Sequence, residues 1–358
     1  MTRRPPSIHR EEYFAKRKMQ VIVVIALLAV LFVMEIYSLS VNSFTVTFEE
    51  SIQVIINRIN GVEPQTYVDK MIDYVVMEVD MPRAIGAIAI GTILAVSGAV
   101  MQTVTRNPLA EPYTIGISSA ALFGVTISIA LGISLIPGLS KDVATPANAF
   151  IFAMIPAIAI VVATTFRRLT PNMMVLIGIG MMYVFSAFTT LIKFNASEES
   201  LQEIYIWSLG TLTKVGWSDI PPLMITAAIT LIGFFLLSKQ INILMAGDNV
   251  CQSLGVNPFR LRIICFILVS FGVAVCVCYS GTIGFVGLVA PHITRLFTGN
   301  NNRILIPLSA IAGTLLILLG DIIVRMLPGG LPAGVITALI GSPLFLYFLF
   351  RQRANKNF

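Results

Sequence analysis

Ten apolar runs, separated by polar stretches, dominate this 358-residue sequence. Most approach the roughly 20 residues that an α-helix needs to cross the hydrocarbon core of a bilayer. Charged residues make up 12% of the chain, against roughly 25% in soluble domains. The pattern predicts an all-α polytopic membrane protein of about ten helices. The runs cover residues 19–41, 84–104, 113–136, 147–166, 172–194, 220–238, 261–281, 283–297, 304–326 and 333–350.

The first apolar run follows a basic tail, residues 1–18, and lacks the small-residue cleavage site of a secretory signal. We therefore expect an uncleaved signal-anchor helix at the start of one transmembrane domain, residues 19–350, which a short tail, 351–358, follows. The run at 283–297 is short and contains Pro291, as is typical of a broken or partly re-entrant element. The polar segments inside this domain are 41–82, 195–217 with an amphipathic piece at Leu201–Leu212, and 239–262.

Lysine and arginine are distributed unevenly between the two sides of the predicted bundle. If the N-terminus is inside the cell and the runs alternate in direction, inner segments hold 17 of the 24 Lys and Arg, and outer segments hold 12 of the 18 Asp and Glu. This bias predicts cytoplasmic termini, an even number of spans, an inner 239–262 loop, and outer segments at 41–82 and 195–217. No basic face interleaves aromatic residues, so the net charge of +6 does not predict nucleic-acid binding.

Two stretches of the chain show a weak internal similarity. Residues 94–112 and 277–295 both run from an apolar segment through Ser-Gly to a proline. They fall in spans of opposite direction, as an inverted repeat of five plus five helices would produce. Chance similarity between Gly- and Ala-rich helices explains the same residues equally well.

The sequence lacks the motifs that would give the chain a reaction of its own. It has no G-x-x-x-x-G-K-[ST] loop for ATP, no H-E-x-x-H motif, no nucleophile elbow and only two histidines, His9 and His292. Cys265, Cys276 and Cys278 share an apolar run and are interpreted as core residues. We expect no enzyme activity, catalytic residue, metal ligand or bound cofactor in this chain, so energy must come from another protein.

The stretch AGDNVCQSLGVNPFRLR, residues 246–262, contains more caps and turns than a simple connection between two spans needs. Asp248 is a good N-cap and Gly255 suits the position after a helix end. Asn257 is a second N-cap, and Pro258 is a favoured first helical residue. The stretch predicts a short amphipathic helix that either lies on lipid or docks a protein. The face predicted for this helix consists of Val250, Cys251 and Leu254.

The motif RNPLAEP, residues 106–112, ends one span and turns the chain into the next. Its two prolines and its charge pair predict a tight cytoplasmic turn. The alternative is a rigid surface that meets a partner. The residues concerned are Arg106, Asn107, Pro108, Glu111 and Pro112.

Four small residues recur every three positions at Gly281, Gly284, Gly287 and Ala290. On a helix they would form one small-residue face that lets another helix approach closely. Tight packing and a moving gate are both compatible with such a face.

Asp321 and Arg325 lie four residues apart near the outer end of the ninth run. A helix would bring the two side chains together. An ionisable residue inside a membrane is a functional candidate by default, but the nearby partner favours a structural ion pair.

Several motifs together resemble a known family. In order they are SGAVMQ (97–102), RNPLAEPYTIGIS (106–118), W-x-L-G (207–210), LGVNPFRLR (254–262), SGTIGFVGLVAPHITR (280–295), GDIIVR (320–325) and LPAGVITALIGSPLFLYFL (331–349). The sequence resembles the permease subunits of the bacterial ABC importers for iron–siderophore complexes and vitamin B12. The similarity covers roughly residues 80–350, and the order and spacing of the motifs make it specific.

The resemblance implies ten transmembrane helices in a homodimer or close heterodimer, embedded in the cytoplasmic membrane of a bacterium or archaeon. It also implies two cytoplasmic ATPase subunits, which hold ATP and Mg, and an extracytoplasmic substrate-binding protein. Transport would proceed by alternating access along a path between the two permease subunits.

The resemblance also implies roles for individual residues. Arg83 and Arg325 match positions that dock the binding protein, whereas a third position, basic in the B12 permease, is Asp80 here, so that contact differs. The residues expected to fit a cleft on the ATPase are Asp248, Val250, Cys251, Leu254, Gly255, Val256, Asn257, Pro258 and Arg260. The residues expected along the path or its gate are Gly178, Gly180, Ser186, Thr190, Trp207, Gly281, Gly284 and Gly287.

A ferric siderophore is the expected substrate, with cobalamin, haem and molybdate as alternatives. From a different class, an ion-coupled secondary transporter would need acidic or basic relays within the membrane. Only Asp321 stands out as a candidate for such a relay, and the loop at 246–262 would then have no purpose. An intramembrane enzyme or a structural membrane protein is a more remote alternative.

Overall fold

The computed structural model describes residues 6–41, 46–166, 169–327, 329 and 331–354. Throughout these ranges the regular structure is helical, and no strand occurs in them. The tail residues 1–5 and 355–358, and Arg167 and Arg168 of a predicted inner segment, lie outside the described residues. The α-helices are α1 (Pro6–Ser38), α2 (Phe48–Ile59), α3 (Tyr67–Tyr74), α4 (Met81–Val104), α5 (Ile117–Leu131), α6 (Lys141–Phe166), α7 (Pro171–Phe194), α8 (Glu198–Ser208), α9 (Ile220–Met245), α10 (Asp248–Ser253), α11 (Pro258–Ser280), α12 (Val286–Thr298), α13 (Asn302–Met326) and α14 (Ala333–Ala354).

Seven helices among the described residues are long and apolar enough to cross a membrane, and two shorter apolar helices accompany them. The protein is therefore a multi-pass, all-helical membrane protein, as the apolar runs predict. Helix α12 has only 13 residues, in keeping with the short run at 283–297. The total of ten spans and the five-plus-five repeat stay predictions.

Helix α4 is the buried centre of the bundle. In its most apolar stretch 89% of the residues are buried, whereas none of the residues in the corresponding stretch of α1 is buried. Glycine makes this burial feasible: a Cβ added at Gly91 would lie 2.5 Å from the backbone of Thr314 in α13. A Cβ at Gly98 would clash with the carbonyl oxygen of Gly287 in α12. Lipid tails are as apolar as the side chains, so close backbone packing, rather than hydrophobic burial, holds membrane helices together.

The helix that contains α4 begins well before the predicted start at residue 84. Helix α3, a π-helical stretch Val75–Asp80 and α4 form 38 consecutive helical residues, Tyr67–Val104. At 1.5 Å per residue they extend over about 57 Å, which exceeds the roughly 30 Å hydrocarbon core. The second half of the polar segment 41–82 is therefore helical, and the combined helix is longer than one membrane crossing requires.

The small-residue face predicted at Gly281–Ala290 does not exist as one helical surface. Helix α11 ends at Ser280, and Gly281 adopts φ +67°, a left-handed conformation that glycine reaches without strain. Gly281 and Gly284 thus lie in the break before α12, while Gly287 is helical. A Cβ at Gly281 would clash with the carbonyl oxygen of Trp207, so these glycines make separate close contacts.

We expect Gly98→Ala to destabilise the protein by about 1–3 kcal/mol, because the new methyl group overpacks the contact between α4 and α12. The matched control is Gly180→Ala in α7, where no atom lies within 4 Å of the added Cβ. There we expect a neutral effect or a gain of up to about 1 kcal/mol from helix propensity. Unfolding of the detergent-solubilised variants measures both values, and equal stability of the two would contradict the packing argument.

Candidate functional site

The helices bring two groups of polar residues together at opposite ends of the bundle. One group includes the turn after α4 and the loop after α9: the Arg106 guanidinium donates to the carbonyl oxygen of Leu244 at 2.8 Å. We call this the inner end, because it carries the segments predicted to be cytoplasmic. The opposite, outer end includes Ser38 and Arg325, which are joined by a hydrogen bond of 2.7 Å.

The loop between α9 and α11 has two of the three caps predicted from its sequence, those at Gly255 and Asn257. Gly255 follows α10 with φ +78°, and the N–H groups of Gly255 and Val256 donate to the carbonyl oxygens of Gln252 and Cys251. These two hydrogen bonds together form a Schellman motif. The Asn257 side chain accepts hydrogen bonds from the first turn of α11 at 3.1 Å. The loop therefore consists of a short helix, a tight turn and the capped start of α11, and it is not an irregular connection.

Asp248 does not act as the N-cap that its position suggested. Gly247 occupies that position with φ +120°, and Asp248 is the first residue of α10. Its carboxylate instead accepts hydrogen bonds from both terminal nitrogens of Arg262, at 2.6 and 2.8 Å. It also accepts one from Arg106 Nη2 at 2.6 Å. We call these three residues the inner ion-pair cluster. It ties the loop to the ends of α4 and α11.

Hydrogen bonding from Arg262, more than any other cause, holds the pKa of the Asp248 carboxyl below its usual range. A carboxyl group whose pKa is lowered by folding stabilises the folded state above its unfolded pKa. That stabilisation is lost only when the pH falls through the lower folded value. The Asp248 carboxylate therefore stays charged throughout the neutral range.

Two apolar residues face outward, Val250 in α10 and Leu254 directly after it, with 42% and 61% exposure. Cys251 is fully buried against the bundle, so the predicted common face of these three residues is incorrect. In a one-and-a-half-turn helix, positions i and i+4 share a side while i+1 turns away from it. Arg260 and Asn257 are exposed, Val256 is half-buried and Pro258 is buried.

A cleft of about 770 Å³ lies beside this loop. It separates α10 and the start of α11 from the start of α7. The wall of this cleft contains polar side chains, backbone of the turns and a few apolar side chains. Its lining consists of Leu169, Thr170, Pro171, Asp248, Gln252, Gly255, Val256, Asn257, Pro258, Phe259, Arg260 and Arg262.

The turn after α4 divides into an exposed half and an inward half. Arg106, Asn107 and Pro108 are exposed, whereas Glu111 is half-buried and Pro112 is buried. Glu111 Oε1 accepts a hydrogen bond of 2.9 Å from the backbone N–H of Phe285, at the start of α12. The turn therefore reaches from the inner surface into the bundle, which neither interpretation of the motif anticipated.

The residues predicted along a path fall into two groups. Gly180, Ser186 and Thr190 lie on the exposed side of α7. Gly178 faces inward, where an added Cβ would lie 2.5 Å from Ile115. Trp207 in α8 is also buried, with 7% exposure. Only the first group lies on a surface that a second subunit could reach.

The outer end contains a buried network of two arginines and two aspartates. Arg325 binds Asp321 at 2.8 Å and Asp80 at 3.0 Å, and Arg83 binds Asp321 at 2.6 Å. The pair Asp321–Arg325 is confirmed, but its extension to α4 and the π-helical stretch was not foreseen. We call these four residues the outer ion-pair network. The two arginine side chains expose only 8% and 5%, so neither presents a free charge at the surface.

We expect Asp321→Ala to cost about 3–5 kcal/mol, because it leaves two buried guanidinium groups without their shared carboxylate. Asp73→Ala is the control, since it removes the more exposed pair Arg58–Asp73, 3.4 Å apart, whose contribution is below about 1 kcal/mol. Denaturant unfolding in detergent measures both. A loss at Asp321 no greater than at Asp73 would show that the outer ion-pair network does not stabilise the bundle.

The described residues offer no cluster of three or more His, Cys, Asp or Glu side chains that could hold a metal ion. All four cysteines are buried free thiols. The polar chemistry of the site is therefore that of ion pairs and backbone hydrogen bonds.

Comparisons with known proteins agree on one kind of protein. The model of the FecCD transport family matches residues 22–351. An ABC transporter permease protein of Methanocaldococcus jannaschii is 36% identical over 96% of this chain and 98% of its own length. An iron chelatin transport system permease protein of Helicobacter pylori is 38% identical over 78% of this chain and 83% of its own. A solved metal-chelate type ABC transporter in an inward-facing conformation is similar with a TM-score of 0.79 and 27% identity, over 92% of this chain and 99% of that one.

Proposed function

The chain belongs to the FecCD transport family, as the permease subunit of an ABC importer, and we propose that it moves a ferric siderophore or a similar bulky metal chelate across the cytoplasmic membrane. Transport proceeds by alternating access. The Helicobacter pylori relative named for iron chelatin transport and the metal-chelate type transporter support this substrate class. Cobalamin, haem and molybdate are the alternatives within the same importer type.

The observation that carries the proposal is the loop around α10. Two capping motifs and the inner ion-pair cluster hold this loop rigidly against α4 and α11. At the same time Val250 and Leu254 face outward without a partner in this chain's described core. A rigid protrusion with an apolar tip suits a cleft on another protein, because little conformational entropy is lost when it docks.

In the proposed assembly, two ATPase subunits bind this loop and hold ATP and Mg, while the permease subunits form a homodimer or heterodimer. Ten helices of each permease subunit, α1, α4–α7, α9 and α11–α14, cross the membrane. The exposed side of α7, with Gly180, Ser186 and Thr190, lines the path between subunits. It carries small polar groups among large apolar side chains such as Tyr183 and Leu191, and such a surface suits a substrate that the tunnel binds weakly.

An extracytoplasmic binding protein delivers the substrate in this proposal. Docking through Arg83 and Arg325 stays a prediction. The outer ion-pair network affects it, since both arginines already have partners within this chain. Because Asp80 and Asp321 already neutralise both arginines, a carboxylate of the binding protein must compete with them.

The outer ion-pair network also weighs against an ion-coupled transporter. Asp321 was the best candidate for a proton or ion relay inside the membrane. It is 1% exposed and binds two arginines, so it is enclosed in a structural network of ion pairs. A relay carboxylate needs access to water and a change of protonation during the cycle.

Reconstitution into vesicles with the ATPase and binding protein from neighbouring genes tests the proposal. We expect ATP-dependent uptake of a ferric siderophore and little uptake of a corrinoid, haem or molybdate. Uptake of one of these others instead would replace the substrate class. Uptake by the permease without the ATPase would overturn the importer assignment itself.

Leu254→Asp should abolish ATPase binding or coupled transport, because it buries an unpaired charge in the proposed apolar contact. Insertion into the membrane should be normal. Ser253→Asp adds the same charge at the adjacent exposed position and serves as the control, for which we expect less than about a tenfold loss. Wild-type stimulated ATPase activity in the Leu254 variant would remove α10 from the coupling contact.

A further inference from the structure

Two residues other than glycine have a left-handed backbone in the part of the chain that the structure describes. They are Arg106, with φ +52°, and Phe285, with φ +67°. This conformation is unfavourable for residues with a Cβ and persists only where surrounding contacts impose it. Such strained residues often occur at switches, so the contacts that hold each of them are informative.

Arg106 is held by contacts with the loop that carries α10. Its Nη2 atom donates to Asp248 Oδ1 at 2.6 Å and to the carbonyl oxygen of Leu244 at 2.8 Å. Asp248 opens α10, and Leu244 belongs to the last turn of α9. Any displacement of α10 must therefore move Arg106 or break a charge-assisted hydrogen bond, which is about twice as strong as a neutral one.

Phe285 is held from the other end of the same turn. Its N–H donates to Glu111 Oε1 at 2.9 Å, and it immediately precedes α12. Beside this bond Pro112 packs on α12, since a Cβ at Gly287 would lie 3.0 Å from Pro112 Cδ. The carboxylate thus satisfies a backbone donor at a helix start that has no intrahelical partner.

The segment between these two contacts is short and stiff. Proline fixes φ at positions 108 and 112. The N–H of Asn107 donates to Gln102, and Asn107 in turn accepts from Leu109 and Ala110. A turn with these internal bonds transmits displacement and does not absorb it.

A displacement of the turn would reach the break between α11 and α12. It packs against α8, because Thr282 Oγ1 donates to the carbonyl oxygen of Ser208 and the N–H of Thr211 donates to the carbonyl oxygen of Ser280. Gly210 and Gly281 approach each other at the same place. Movement of α12 therefore changes the hydrogen bonds that hold the end of α8 and the residues after it.

We propose that the turn Arg106–Pro112 is the mechanical link that carries movement of α10 to the α11–α12 break, with Arg106 and Glu111 as its positioning residues; this rests on the proposed function. The inner ion-pair cluster is the input of this link, and the Glu111–Phe285 hydrogen bond is its output. One strained residue, Arg106, belongs to the input contact, and the other, Phe285, belongs to the output contact.

The test measures substrate taken up per ATP hydrolysed by the full reconstituted complex. Glu111→Ala should lower this ratio about tenfold, the change that corresponds to one lost hydrogen bond to a charged group. Glu111→Gln should restore it, because the amide oxygen accepts the same bond from Phe285. Arg106→Ala should lower the ratio similarly, whereas Arg303→Ala, an exposed arginine at the same end of the bundle, should leave it unchanged.

A double-mutant cycle separates a link from two independent supports. If the turn transmits movement, Asp248→Ala combined with Glu111→Ala should reduce the ratio no further than the more severe single variant. Multiplicative losses, or a wild-type ratio in Glu111→Ala, would overturn the link. If Glu111→Ala does not assemble, Arg106→Ala decides, and a wild-type ratio there overturns it.

Failure of the link is distinguishable from failure of the proposed function. If the wild-type complex shows no ATP-driven uptake, the importer assignment fails before any variant is compared. If the wild-type complex transports and the Glu111→Ala complex transports equally well per ATP, only the link is wrong.

Discussion

The close backbone contact of α4 with α12 and α13 is the constraint on which the rest of the structure depends. Between membrane helices there is no gain from removing apolar surface from water, so association relies on dispersion at short range and on polar contacts. Gly91 and Gly98 let α4 approach its neighbours to backbone distance. The two polar sites lie at opposite ends of this helix, since Arg83 is in the first turn of α4 and Arg106 follows its last turn.

The two ends of α4 differ in how their charges are used. At the outer end the outer ion-pair network is buried and pairs its two arginines with two aspartates, which favours one fixed arrangement. At the inner end Asp248 is 42% exposed and shares its charge between a buried and an exposed arginine. The outer charges are therefore enclosed in the bundle, whereas part of the inner ion-pair cluster is accessible at the surface, where its contacts hold the loop to α4 and α11.

Local patterns predicted much of this arrangement. The apolar runs predicted the long apolar helices, and the residues Gly255, Asn257 and Pro258 predicted the turn and the helix start in the loop. The i, i+4 spacing predicted the pair Asp321–Arg325. All of these features depend on residues within a few positions of one another. The predictions that were wrong, the capping role of Asp248, the common face with Cys251 and the small-residue face from Gly281 to Ala290, each assumed that local pattern alone decides where a side chain points.

The sequence by itself determined that the chain folds in a membrane, the class of fold, and the caps at Gly255 and Asn257, because hydropathy and backbone preferences act over one or two turns. Only the tertiary structure decided the partners of its charges. Asp248 meets Arg106 across 142 positions, Arg325 meets Asp80 across 245, and Glu111 meets Phe285 across 174. A carboxylate buried in a membrane protein requires some compensating donor, but only the packing of α4 against α12 and α13 selects which donor lies within reach.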